Sequence, residues 1–561
     1  MKFKDMPYSR PDVEAICATY QGLTEQVKTA KSAEDVFAAI DAHEACMMEF
    51  ATMESLCYIR HTIDTTDTFY AAEMDYIDEK SPLVQEQGQA FSLAVLASPF
   101  RADIDARYGE LLLRNIEIGT KTFSPAIIAE LQEENRLVSA YQKLCASSQI
   151  EFDGKTVTVA ELAPYKQSHD RAVRRAAYLA EGSFWMSVKD ELDRLFDELV
   201  KVRATIAEKL GYSSFTEVAY LRNTRNCYDP EMVAAFRSQV KRDLVPVVSA
   251  LKEKQAERIG VSGDFRFYDD LFGYPEGNPK PQGTPDDILA AGKQMYHEMS
   301  PETAEFIDFL YDNELFDVCA KKGKAPGGYC TSLPLYRAPF IFSNFNGTSG
   351  DVDVLTHEAG HAFAGFRARN FDLLEQTSPS MESCEVHSMS MEFLAWPWLG
   401  LYYGKDADRA RYAHLESALV FIPYGTMVDD FQHQIYANPK MTAAERDALW
   451  LSLEREYRPY IDFADVPFYS AGAGWQRQLH IYHYPFYYID YCLAQTVALE
   501  VWAASQHNFG HAWARYLSFV EQGGMQTFVE LCKTAGLITP FEDGCLKEIV
   551  DTVLAWLEKN Q

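Results

Sequence analysis

The chain has 561 residues, 47% of them apolar and 24% charged, a folded composition too long for one ordinary core and so expected to form at least two lobes. Its formal net charge of -30 repels phosphate backbones and anionic headgroups, which argues against nucleic acid and membrane surfaces as partners. The 11 cysteines are scattered from Cys17 to Cys545 without a CxxC pair, excluding a disulfide framework and a paired-thiolate metal site. With no apolar leader at Met1 and no apolar run near the ~18 residues of a membrane span, a cytoplasmic protein is expected.

The first half reads as helix. Leu192, Leu195, Phe196 and Leu199 recur at helical spacing, continue to Ile206 and stop at Gly211. Similar patterns fill most of residues 11–260, without a fixed repeat. The Pro/Gly-rich stretch 273–281 predicts an irregular loop. Thr284, Pro285, Asp286 and Asp287 follow it as a helix start: a capping hydroxyl, a proline suited to the first turn and acids that complement the dipole. Residues 323–350 change texture, and Ala338–Ser343 predicts a strand in the one convincing small sheet, with a tight Asn346-Gly347 turn after it. A helix is expected from about Asp351, and helices thereafter.

That next helix carries His357-Glu358-Ala359-Gly360-His361. Four residues apart, His357 and His361 project from one helix face one turn apart, the separation that two nitrogen ligands of a single Zn²⁺ require. Glu358 lies about 100° around the helix, placed for a base acting on water. His43-Glu44 and His297-Glu298 are also His-Glu pairs, but neither has a histidine three residues after its glutamate. Val354, Leu355, Ala359, Ala362, Phe363 and Phe366 surround the motif with apolar groups and predict a buried helix. A third ligand must come from elsewhere. Arg367 occupies the position where a metzincin has its third histidine, which excludes that class. Glu375, Glu382, Glu385 and Glu392 are the carboxylates in reach.

The motif followed by Glu385-Val386, 28 residues after His357, resembles the thimet oligopeptidase and oligoendopeptidase F family of zinc metallopeptidases. The resemblance covers roughly residues 165–555 and is strongest at 323–395 and 472–495. It implies that Glu385 is the third ligand beside His357 and His361 around one Zn²⁺ per chain, and that Glu392 orients a ligand histidine. His387 and Cys384 fall on other faces and are not expected to ligate. The segment from Gly472 to Tyr491 resembles the family's His-and-tyrosine stretch, which implies that His480, Tyr488 and Tyr491 stabilise the oxyanion, with His483 and Tyr487 as substitutes. Here the interval from His480 to Tyr488 differs by one residue from that of thimet-type members. Pro485 fits a first helical turn that would bring Tyr488 and Tyr491 onto one face. The stretches Gly327-Gly328-Tyr329 and Ala338-Pro339-Phe340-Ile341 resemble the family's small sheet beside the cleft, whose edge could pair with an extended peptide.

The fold implied is mainly α: a large helical ellipsoid of two lobes around a deep channel, the HExxH helix at its floor and one small sheet beside it. Residues 1–164 are expected to form an N-terminal helical lobe and 165–561 the catalytic region. The activity implied is zinc-dependent endopeptidase cleavage of short peptides. Two rivals are a zinc carboxypeptidase of related build, whose HPF and DxRxT signatures are absent from the sequence, and a helical binding protein with a vestigial motif.

Overall fold

The computed structural model describes residues 1–325, 327–345 and 349–560. It is mainly helical, with five short strands: β1 (Ile150–Phe152), β2 (Lys155–Val157), β3 (Phe316–Cys319), β4 (Tyr329–Leu333) and β5 (Ala338–Phe345). Two compact units interleave along the chain. The first comprises Met1–Thr120, Lys280–Ala407 and Val497–Thr539, and the second Lys121–Pro279, Asp408–Thr496 and Pro540–Gln561. None of the helices described is long and apolar enough to cross a membrane.

In the first unit, helices Val13–Thr29, Ala33–Ile63 and Thr68–Leu96 bury Tyr20, Leu23, Val36, Ile40 and Phe91 in a common core. Thr284 caps the helix Pro285–Met299 as its sequence predicts, and Asp287 completes a reciprocal box with it. The sheet has the order β3-β5-β4, with β3 parallel and β4 antiparallel to β5. Central β5 is buried along nearly all its length, as befits the apolar run Ala338-Pro339-Phe340-Ile341-Phe342. Pro339 is tolerated there because it lies before the β3 pairing, which begins at Ile341, and pairs only with Ser332 of β4. Thr62 Oγ1 meets the Tyr329 hydroxyl at 2.6 Å and Thr52 Oγ1 accepts from Leu335 N at 2.9 Å, tying the sheet to the helix Ala33–Ile63. After β5 comes the helix Ser349–Ala368, beginning two residues before Asp351. The expected Asn346-Gly347 turn lies outside the described residues.

In the second unit, the helix Arg171–Leu210 runs from an Asp170 cap to Gly211, whose φ of 85° suits glycine. Leu192, Leu195, Phe196, Leu199 and Ile206 are all buried. The unit also holds a second sheet, the antiparallel β1–β2 hairpin, so the expectation of a single sheet is corrected. Asp153 and Gly154 turn it with φ of 50° and 72°, the paired positive values that an Asp-Gly hairpin turn supplies.

Candidate metal and catalytic site

Within the first unit, the helix Ser349–Ala368 is held from several sides. Phe363 packs against Phe306 and Trp513, and Phe366 against Phe306 and Phe309. The polar face is left to His357 and His361, whose rings stand 5.0 Å apart and nearly perpendicular. The helix Met381–Leu394 lies against it. The approach is closest at Gly360, where a Cβ would sit 2.6 Å from Ser388 Cα and 2.7 Å from His387 O. Only glycine fits, because both neighbours are backbone.

This contact brings Glu385 to the histidines. Its Oε2 lies 3.4 Å from His357 Nε2 and 3.6 Å from His361 Nε2, and one ligand atom from each of the three residues falls within 4.8 Å of the others. Ser388, one turn on, donates its hydroxyl to Glu385 Oε2 at 3.1 Å. Glu392 Oε1 lies 2.7 Å from His357 Nδ1. The carboxylate accepts the Nδ1 proton, which turns the Nε2 lone pair toward Glu385 and His361. Of the four carboxylates left open by spacing, the structure brings Glu385 and Glu392 to the histidines.

The electrostatics suit a cation. Burial works against protonated His357, but hydrogen bonds to Glu385 and Glu392 outweigh it and raise its pKa. His361 is pushed down to about 4 by burial, so it offers a free lone pair at neutral pH. Burial pushes the Glu358 carboxyl up to about 7, a shift that a bound cation would oppose. Two imidazoles and a carboxylate, with two further carboxylates beside them, match the donor set of a hydrolytic metal. His387 and Cys384 stay outside the set. His387 is buried against Phe519, and burial pushes it down to about 3. Cys384 Sγ is 3.5 Å from Ser378 Oγ, and burial pushes its thiol up to about 12. Glu392→Gln would keep the shape but weaken the hold on His357, and metal affinity is expected to fall about 10- to 100-fold. Competition against a chelator of known affinity measures it.

The second unit gathers the other predicted residues. His480 lies in the short helix Leu479–His483, and Tyr488 opens the helix Tyr488–His507. The His480 ring is 4.8 Å from that of Tyr488 and 5.9 Å from that of Tyr491, and the two tyrosines are 5.6 Å apart. Pro485 does not start the helix. Phe486 follows with a φ of 67°, a conformation unusual for a bulky residue. It is held there because Arg225 donates to Phe486 O and Gln432 Oε1 accepts from Phe486 N.

Sequence reasoning passed over the residues that position this segment. The Tyr424 hydroxyl donates to Gln478 Oε1 at 2.8 Å, and Gln478 Nε2 faces His480 Nδ1 at 2.9 Å. An amide N–H on Nδ1 leaves the ring proton on Nε2, so His480 is set to donate. Fully buried Arg203 donates to Tyr482 O and pairs with Glu134, and fully buried Arg225 pairs with Asp490. Gln478, two residues from His480, was within sight in the sequence. Arg203 and Arg225 lie 279 and 261 residues from the carbonyls they bind and carry no local signal. Arg225→Met would leave Asp490 buried beside no cation. Its expected cost is about 3–5 kcal/mol, read by denaturant unfolding.

Comparison with known proteins decides the family. A model of the peptidase M3 N-terminal domain matches residues 3–123, and that of peptidase family M3 matches residues 286–551. A solved structure of PZ peptidase A with an inhibitor is 46% identical, covers 100% of this chain and 99% of its own, and superposes with a TM-score of 0.94. The chain belongs to peptidase family M3. A structure described as an oligoendopeptidase F from Bacillus anthracis is 44% identical, with 100% and 98% coverage and a TM-score of 0.89. Oligopeptidase PepF of Bacillus subtilis (strain 168) is 23% identical over 91% of this chain and 78% of its own. This family M3 protein is a metallo-endopeptidase with the mainly helical fold of the oligoendopeptidase F structures, as the resemblance of its motifs implies.

Proposed function

We propose that His357 Nε2, His361 Nε2 and a Glu385 oxygen hold one Zn²⁺ per chain, and that the enzyme cuts internal bonds of short peptides with Glu358 as general base. The observation that carries this reading is the convergence of the three ligand atoms, with Glu392 fixing the His357 ring. When bound, zinc supplies Lewis acidity toward the scissile carbonyl and lowers the pKa of water toward neutrality. Glu358 takes a proton from the attacking water and delivers it to the leaving amine. His480 Nε2–H and the hydroxyls of Tyr488 and Tyr491 donate to the oxyanion, each donor contributing about 3–4 kcal/mol. β4 is an edge strand of its sheet, and its outer edge offers backbone hydrogen bonds to an extended peptide, which gives affinity with little demand on side chains. All eleven cysteines are free, which supports a reducing, cytoplasmic setting.

The test is cleavage of an internally quenched peptide of about ten residues, with and without chelator, the products resolved by mass. Internal cuts that vanish with chelator and return with Zn²⁺ are expected. Removal of single C-terminal residues would replace this reading with a carboxypeptidase, and no cleavage by the zinc-loaded protein would end it.

A further inference from the structure

Successive side chains of β4 point to opposite faces of its sheet. On one face lies the helix Ser349–Ala368. A Cβ at Gly328, just before the strand, would meet Val354 Cγ1 at 3.5 Å, about one turn from His357. Cys330 shares that face: burial raises its thiol pKa, and the Glu358 charge adds to the rise. Tyr329 turns the other way, to the helix Ala33–Ile63. Its hydroxyl is 2.6 Å from Thr62 Oγ1, which fixes the ring, and the ring lies 5.1 Å from that of Tyr58.

Three rings stand in a row here. Phe342 of β5 is the cross-strand partner of Tyr329, and the two rings stack 4.8 Å apart at 9°. Tyr58 continues the row on the far side of Tyr329. Exposure rises along it, from fully buried Phe342 through half-buried Tyr329 to Tyr58 at 42%. The row therefore runs from the core to the surface past an edge strand. Its steps match the spacing of neighbouring strands, about 4.7–4.9 Å. In a peptide paired to the outer edge of β4, the residue opposite Tyr329 turns its side chain to this same face, against the Tyr58 ring. The residues before and after it turn toward the helix that carries His357. Farther along β4 the face of Tyr329 holds Thr331 and buried Leu333, so the strand offers an aromatic contact at one position.

We propose that Tyr58 and Tyr329 form an aromatic subsite for one side chain of the peptide substrate, an inference that rests on the peptidase reading above and names the side chain it selects. Backbone pairing gives affinity without regard to sequence, and the side chains that flank the pairing edge give selection. Ring-on-ring contact rewards an aromatic residue over an aliphatic one of similar area. Strand register holds that residue at a constant distance from the bond cut.

The test moves one phenylalanine through an alanine-based peptide of about ten residues and resolves the products by mass. The cut is expected to follow the phenylalanine at a fixed number of residues. Calorimetric binding to zinc-loaded Glu358→Gln protein, which does not turn the peptide over, then compares the phenylalanine peptide with its all-alanine parent. The aromatic peptide is expected to bind about tenfold more tightly. Adding Tyr58→Ala should bring the two affinities together, and Tyr58→Phe should keep them apart. Phe69→Ala, which removes another exposed ring of the same unit, should keep the preference as well. Cuts out of register with the phenylalanine, equal affinities, or a preference that survives Tyr58→Ala would overturn the proposal. So would its loss with Phe69→Ala. Alanine suits a helix interior, and unfolding midpoints check that each variant is folded. Chelator-sensitive cleavage by the unmodified enzyme tests the peptidase reading separately. Cleavage without the aromatic preference sinks the subsite alone, whereas absent cleavage sinks the reading beneath it.

Discussion

Glu358→Gln is expected to lower kcat by about 10³-fold while one zinc per chain remains bound. The argument starts from position. Glu358 shares the helix with His357 and His361 but points elsewhere, and it is not one of the three groups whose ligand atoms converge. It is only 8% exposed, so its carboxyl already bears a desolvation cost that raises its pKa. Glutamine keeps the volume and removes that cost, so the metal-free variant should be no less stable than its parent. What it loses is the capacity to accept a proton. Metal analysis and steady-state kinetics on one preparation separate the possibilities. Turnover at the parental rate would remove Glu358 from the mechanism, and loss of zinc together with turnover would make it a structural residue of the site.

How far such a site can be read in sequence depends on the range of the interaction. His357 and His361 are legible because helical geometry alone sets their separation. The Thr284 box and the Gly211 stop are legible for the same reason, being local devices. Glu385 is not legible from spacing, since Glu375, Glu382 and Glu392 are equally reachable, and the family resemblance had to single it out. Ser388 beneath Glu385 and Gln478 beside His480 sit one turn or less from residues already chosen, so local geometry could have suggested them. The Asp153-Gly154 hairpin was likewise open to reading, because its turn residues carry the signal themselves. Phe486 marks the other limit. Its left-handed backbone is imposed by Arg225 and Gln432, both distant in sequence, while Pro485 locally suggested a helix start.

Gly360 joins the two levels, and its substitution carries the second large expected effect. The HExxH pattern leaves its third and fourth positions unspecified, and a glycine inside a helix is locally unfavourable by about 1 kcal/mol relative to alanine. Its place is explained by the neighbouring helix, whose Ser388 Cα and His387 O would lie 2.6 and 2.7 Å from an added Cβ. These backbone atoms cannot rotate away, so Gly360→Ala must push apart the helices that carry the histidines and the glutamates. Overpacking of this kind costs about 1–3 kcal/mol. A shift near 1 Å in Glu385 would lower kcat/KM about 10²-fold and weaken zinc binding with it. Gly365 supplies the control, since it lies on the same helix and a Cβ there would meet nothing within 4 Å. Gly365→Ala should leave kinetics unchanged and raise stability by up to about 1 kcal/mol. If the two alanines behaved alike in unfolding and in zinc titration, close helix approach would not be what sets the metal ligands.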